Sequence, residues 1–190
     1  MHIRLILLVF LLTLLVPGRV WAGTIVGHVR AQGKAEAEEA ASAGKYDSRK
    51  FKFVERVNYA EMRDFVVYLE GVPPSVQSAP NQPLRVTTAK NVSQKGAAFS
   101  PHVLPVMIGT TVEWPNQDEI FHNVFSMSEA KPFDLDLYKG NPPDKRVTFG
   151  QPGKVDVFCS IHANMHCIVL VMPNPYFAAT DADGHYRITG

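Results

Sequence analysis

From Leu84 onward the chain is written in short apolar runs, and this constrains its fold more than any other feature. The runs are Leu84–Thr87, Ala98–Val103, Pro105–Ile108, Thr111–Trp114, Asn123–Ser126, Arg146–Phe149, Val155–Cys159 and Cys167–Met172. Turn formers separate them, at Gly109, Asn116–Asp118, Gly140–Pro143 and Gln151–Gly153. Runs of four to six residues are too short for amphipathic helices. Many short strands punctuated by turns predict an all-β sandwich or barrel. No unit repeats at the 20–50-residue period of a solenoid or propeller.

Upstream, Thr24–Val29 and Phe65–Leu69 also read as strands, being apolar and β-branched. Between them Ala31–Gly44 is rich in Ala and Glu but has little apolar face, which suits an exposed helix or linker. Lys45–Asp64 has no clear pattern. Glu70–Pro74 is turn-like, and a Pro/Ser/Gln/Asn loop runs on to Pro83. The tail, Asn174–Gly190, looks like a fresh start, a turn at Asp181–Gly184 leading into a strand at His185–Thr189. Either that strand pairs back with the early ones, or the chain is the front part of a longer protein. Asp181 and Asp183 also invite a calcium reading, but an EF-hand loop needs twelve positions and a closing Glu. A β-turn is expected there.

Residues 1–22 combine a basic start (His2, Arg4), an apolar run from Leu5 to Val16, helix breakers at Pro17 and Gly18, and a small residue at Ala22. This is the pattern of a secretory signal cut after Ala22. A bilayer span needs about 20 apolar residues, so the run is short for an anchor. Periplasmic or otherwise exported localisation follows as an expectation, with no membrane span after cleavage. Removing Arg4 and Arg19 with the signal leaves 17 Lys+Arg against 18 Asp+Glu. A near-neutral chain without a basic run lacks the footprint of a nucleic-acid binder. Hydrophobic content of 46% suits a globular core and argues against wholesale disorder.

The most pointed chemistry is Cys159-Ser-Ile-His162-Ala-Asn-Met165, which puts a thiol, an imidazole and a thioether on one predicted loop. Phe121-His122-Asn123-Val124 adds a second imidazole where a turn meets a strand. One Cys, two His and a Met are the ligand set of a blue-copper site, trigonal His2Cys with a weak axial Met. Two other readings compete. Cys159 and Cys167 are the chain's only cysteines, and in an exported protein they suit a disulfide. A zinc site of Cys159, His162, His166 and Cys167 is also conceivable, but it leaves His122 and Met165 unexplained. Copper accounts for more residues than either. His28, His102 and His185 read as surface residues. No Ser/His/Asp triad or carboxylate pair stands out, so no catalytic site is expected.

Residues from about 99 to 172 resemble the cupredoxin family, most closely its amicyanin and plastocyanin branch. The resemblance rests on Gly109-Thr-Thr-Val-Glu-Trp114, Pro115-Asn116-Gln-Asp-Glu, His122-Asn123-Val124 and Cys159-x2-His162-x2-Met165, the last being the amicyanin spacing. It implies a cupredoxin-like Greek-key β-sandwich with additional flanking β-segments, holding one type 1 copper ion. His122, Cys159 and His162 would be its equatorial ligands and Met165 the axial one. Asn123 would tie the two ligand loops together, and the ring edge of His162 would pass electrons to redox partner proteins. His166 and Cys167 depart from the family pattern. The Val26 region, Phe65–Gly71 and Ala179–Ile188 resemble a carboxypeptidase-regulatory-like β-module of the kind found in methylamine-utilisation proteins. The expected organisation is a signal peptide at 1–22, an N-terminal β-segment at 23–83, a copper domain at 84–173 and the start of a β-module at 174–190. The function implied is single-electron transport by a monomer, not an enzyme; copper delivery through His166 and Cys167, or a structural module whose metal site has fallen out of use, are the rivals.

Overall fold

Period-two alternation sets the architecture of the computed structural model, which describes residues 23–32, 58–71 and 89–189. The strands in chain order are β1 (Thr24–His28), β2 (Val66–Tyr68), β3 (Lys90–Asn91), β4 (Ser93–Gln94), β5 (Phe99–Ser100), β6 (Val103–Met107) and β7 (Thr111–Glu113). They continue as β8 (His122–Ser126), β9 (Phe133–Tyr138), β10 (Arg146–Thr148), β11 (Gly153–Phe158), β12 (His166–Met172), β13 (Phe177–Ala179) and β14 (His185–Thr189). One 3-10 turn at Tyr59–Glu61 is the sole helical element among the described residues, and no helix there is long and apolar enough to cross a membrane.

Two sheets face each other. The larger runs β6-β12-β11-β8-β9 and the smaller β10-β7-β3. The chain crosses between them from β6 to β7, β7 to β8, β9 to β10 and β10 to β11, while β8 with β9 and β11 with β12 pair as neighbours within the larger sheet. Successive side chains of a strand point to opposite faces. Val155 and Val157 of β11 and Cys167, Val169 and Val171 of β12 therefore line the inside, where they meet Val112 and Val147 of the smaller sheet. Trp114, wholly buried at the end of β7, lies edge-on to Phe99 and 6.0 Å from Phe133, whose ring in turn meets Phe149 edge-on. Truncating a buried aromatic of this size to Ala costs about 3–5 kcal/mol. Pro105 is tolerated in β6 because β6 is the sheet's outer strand, where a missing N–H breaks no central ladder.

The flanks are closed by pairing between the two ends of the described chain. β1 runs antiparallel to β14, from Thr24 opposite Thr189 to His28 opposite His185. β2 runs antiparallel to β13. The tail strand thus meets the early strand, as one of the two sequence readings has it. The turn before β14 is built as expected: the Asp181 carboxylate accepts from the Asp183 and His185 amides, and Gly184 takes φ +87°.

One expectation is corrected, strands beyond those expected are found, and the disulfide that rivalled copper is excluded. Ala98–Val103 is not one strand but two, because Pro101 cannot donate to a ladder and the chain bends there between β5 and β6. Strand β9 went unread although Phe-Asp-Leu-Asp-Leu-Tyr alternates plainly, and β13 was also missed. Cys159 and Cys167 are both free thiols, so the disulfide reading does not hold. The signal segment, most of the Ala/Glu-rich stretch, the Pro-rich loop after Gly71 and the Leu84–Thr87 strand lie outside the described residues.

Candidate metal centre

Strand pairing brings the remote imidazole to the cysteine loop. Phe158, last residue of β11, sits opposite Phe125 of β8 and opposite His166 of β12. Cys159 therefore emerges beside the start of β8, where His122 stands. The loop 159–165 leaves β11 and returns into β12, and it is closed on itself. The Cys159 amide donates to the Met165 carbonyl at 3.3 Å, and the Met165 amide to the His162 carbonyl at 3.0 Å.

His122, Cys159 and His162 converge, with their donor atoms all within 4.8 Å of one another. The two Nδ1 atoms are 3.0 Å apart, and Cys159 Sγ lies 3.7 Å from His162 Nδ1. Imidazole and thiolate bonds to a divalent ion are about 2.0–2.1 and 2.3 Å. At tetrahedral-to-trigonal angles such bonds separate N from N by about 3.3–3.6 Å and S from N by about 3.5–3.8 Å, and an N–metal–N angle closed to about 95° brings the two nitrogens to about 3.0 Å. The spacing fits a shared ion. Exposure is graded across the cluster: His122 is 0% exposed, Met165 1% and Cys159 6%, whereas His162 is only half-buried. Met165, the proposed axial residue, closes the loop from beneath the surface. A Cys, two imidazoles and a buried thioether are a donor set suited to copper, since soft sulfur favours Cu(I) and imidazole accepts both oxidation states.

Around the site, the Asn123 amide points at Cys159 Sγ at 3.5 Å. The link between the two ligand segments is thus made by the backbone of Asn123. Its side chain turns to β9 and donates to Asp134 at 2.6 Å, next to a bulge where Asp136 adopts φ +56°. Asp118, which sequence reasoning placed in a turn and passed over, accepts from His122 Nε2 at 2.8 Å. It also accepts from the Gly96 and Ala97 amides at 2.7 and 2.9 Å. The Ala97 amide above all, then His122 and Gly96, hold its carboxyl down at about 2. The available signal was an acid four residues before a candidate ligand, after an Asn that could shape the loop. Asn116 does so, accepting from the Asp118 amide and donating to the Ile120 and Tyr138 carbonyls.

No protein-family model matches the sequence, and no curated protein matches it. Solved structures do. A copper-containing nitrite reductase from Thermus scotoductus is 26% identical over 55% of this chain and 28% of its own, with a TM-score of 0.43. The reduced form of an amicyanin variant is 23% identical over 44% of this chain and 82% of its own, TM-score 0.40. A purple cupredoxin from Nitrosopumilus maritimus is 26% identical over 44% of this chain and 99% of its own, TM-score 0.37. The chain spans little more than a quarter of the nitrite reductase. These neighbours are copper proteins of the cupredoxin kind.

The two residues after Met165 part company. Cys167 faces the core, wholly buried, with its thiol pushed up to about 12 by burial and by the charge of Asp156. His166 lies on the other face of β12, stacked on Phe158 and 3.0 Å from an Asp156 carboxylate oxygen. Alternation along one strand keeps them apart, so they do not form a second donor pair.

Proposed function

We propose that this protein is an exported carrier of single electrons with one type 1 copper ion, held by His122, Cys159 and His162 with Met165 as the axial ligand. One observation carries the reading: two imidazole nitrogens and a thiol sulfur converge at metal-bond spacing where strand ends meet a self-closed loop. Copper bound there supplies a one-electron couple. The chain's part is to hold the donors nearly still in both oxidation states. β8 fixes His122, the Asn123 amide supports the Cys159 sulfur, and the loop bonds of Met165 fix the far side. Rigidity of this kind lowers the reorganisation that accompanies electron transfer.

Access follows the exposure gradient. His162 alone of the four is half open, and its neighbour Ile161 is 51% exposed. Phe121 and Ile120, just before His122, are similarly exposed. Exposed apolar residues on the segments that carry both imidazoles suit brief docking of redox partner proteins, in keeping with a near-neutral composition. With Met165 as the fourth donor the ion would have no position open to substrate, so the protein is read as a carrier and not an enzyme. Copper delivery through His166 and Cys167 is disfavoured by their placement on opposite faces of β12.

Adding Cu(II) to the purified mature protein tests this. An intense blue or green colour that ascorbate bleaches reversibly, and that Cys159→Ser abolishes, is the expected result. Colourless binding, or colour that survives Cys159→Ser, would overturn it.

A further inference from the structure

His122 is wholly buried, so the proton on its outer ring nitrogen needs a partner inside the protein. That partner is Asp118, 2.8 Å from Nε2. We propose that Asp118 is a positioning residue of the metal centre, and that the turn between β4 and β5 holds it in place through the Gly96 and Ala97 amides. The proposal rests on the copper reading of the site for its redox consequence, but not for its structural part.

The geometry is specific. Gly96 and Ala97 take φ +63° and +55°, and the Lys95 amide donates to the Ala98 carbonyl across them. Two consecutive left-handed residues make the tight hairpin turn whose twist suits its strands. Here they also turn two successive N–H groups toward one side, a concavity that receives an anion. Asp118 fills it. Oδ1 takes Gly96, and Oδ2 takes both Ala97 and His122. The glycine-alanine turn is thus tied to a metal ligand 25 residues further on through one carboxylate.

An ionised carboxylate accepts hydrogen bonds and cannot donate one. Asp118 therefore fixes the ring proton of His122 on Nε2 and leaves the Nδ1 lone pair facing His162 and Cys159. It also makes the imidazole a stronger donor. A nearby negative charge stabilises the doubly charged ion more than the singly charged one, so Asp118 lowers the reduction potential.

Two measurements on the full chain test this. Nitrogen-detected NMR of the metal-free protein reads the His122 tautomer, and the expected result is a proton on Nε2. A proton on Nδ1 would overturn the proposal. In the copper-loaded protein, Asp118→Asn is expected to weaken Cu(II) about 10–100-fold and Cu(I) less. Each tenfold difference raises the potential by about 59 mV. Asp118→Glu, which keeps the charge, should stay nearer the parent. An unchanged potential and Cu(II) affinity in Asp118→Asn would also overturn it. The tautomer measurement needs neither variant nor metal, so it decides the structural claim even if Asp118→Asn fails to fold. An Nε2 proton in a protein that develops no copper colour would leave Asp118 in its role and sink the copper reading instead.

Discussion

Nδ1 of His122 faces Nδ1 of His162 across 3.0 Å, yet one ring is sealed inside the sandwich and the other reaches its surface. The pair is unequal in a way that substitution can expose. In His162→Gly the missing ring leaves an opening to solvent, so added imidazole at millimolar order should enter, bind the copper and restore most of the colour. In His122→Gly the gap is buried at the start of β8 and no such rescue is expected. Absorbance titration with imidazole checks both. Equal rescue of the two variants would contradict the exposure gradient on which the electron-entry side is assigned.

The two cysteines differ as sharply. Cys167 is in the core, and its thiol is pushed up to about 12, so it is protonated and shielded at neutral pH. A thiol reagent at pH 8 should modify Cys159 of the metal-free protein slowly and Cys167 only on unfolding. Cys167→Ala should keep the copper colour and cost about 1 kcal/mol, the loss expected for one small buried group. Peptide mapping after labelling and a denaturant titration read the outcome. Loss of colour in Cys167→Ala would bring this residue back into the metal site.

How much of this the sequence showed depended on whether the signal was local. The loop Cys159–Met165 was legible because three donor types fall within seven residues, and β8, β11 and β12 were legible from short apolar runs. Strand β9 was missed because Asp134 and Asp136 lower its hydropathy, although their alternation with Leu135 and Leu137 is itself a strand pattern. Asp118 was missed for a deeper reason. Its contacts to Gly96 and Ala97 exist only once the hairpin folds over the 116–120 loop, and no local pattern marks an Asp in a turn as a partner for a distant amide.

The pairing of β1 with β14 has its own weak point at Gly184. Its φ of +87° is disfavoured for any side chain, and a Cβ there would clash with the carbonyl oxygen of Val29. The Val29 amide also donates to the Gly184 carbonyl at 2.8 Å, so the clash falls on a bonded stretch of backbone. Gly184→Ala should lower stability by about 1–3 kcal/mol, read as a shift in denaturant midpoint, and leave the copper spectrum intact. No shift in the midpoint would mean that the two ends are not paired as described.

The exposed apolar residues offer a test that needs no knowledge of the natural partner, because a second copy of the protein can serve. Electron self-exchange between oxidised and reduced molecules requires two copies to meet through the side where a ligand reaches the surface. Ile161 precedes His162 in the chain and is half exposed. Ile161→Lys puts like charges face to face in that encounter and interrupts its apolar contact, while touching none of the four proposed ligands. Charge at an interface rim acts mainly on the association step. The self-exchange rate, from NMR line broadening in mixtures of the two oxidation states, should fall about tenfold or more at low salt and recover in part as salt screens the lysines. The visible spectrum should not change. An unaltered rate with an unaltered spectrum would move the docking side away from His162, and with it the assignment of that imidazole as the point of electron entry.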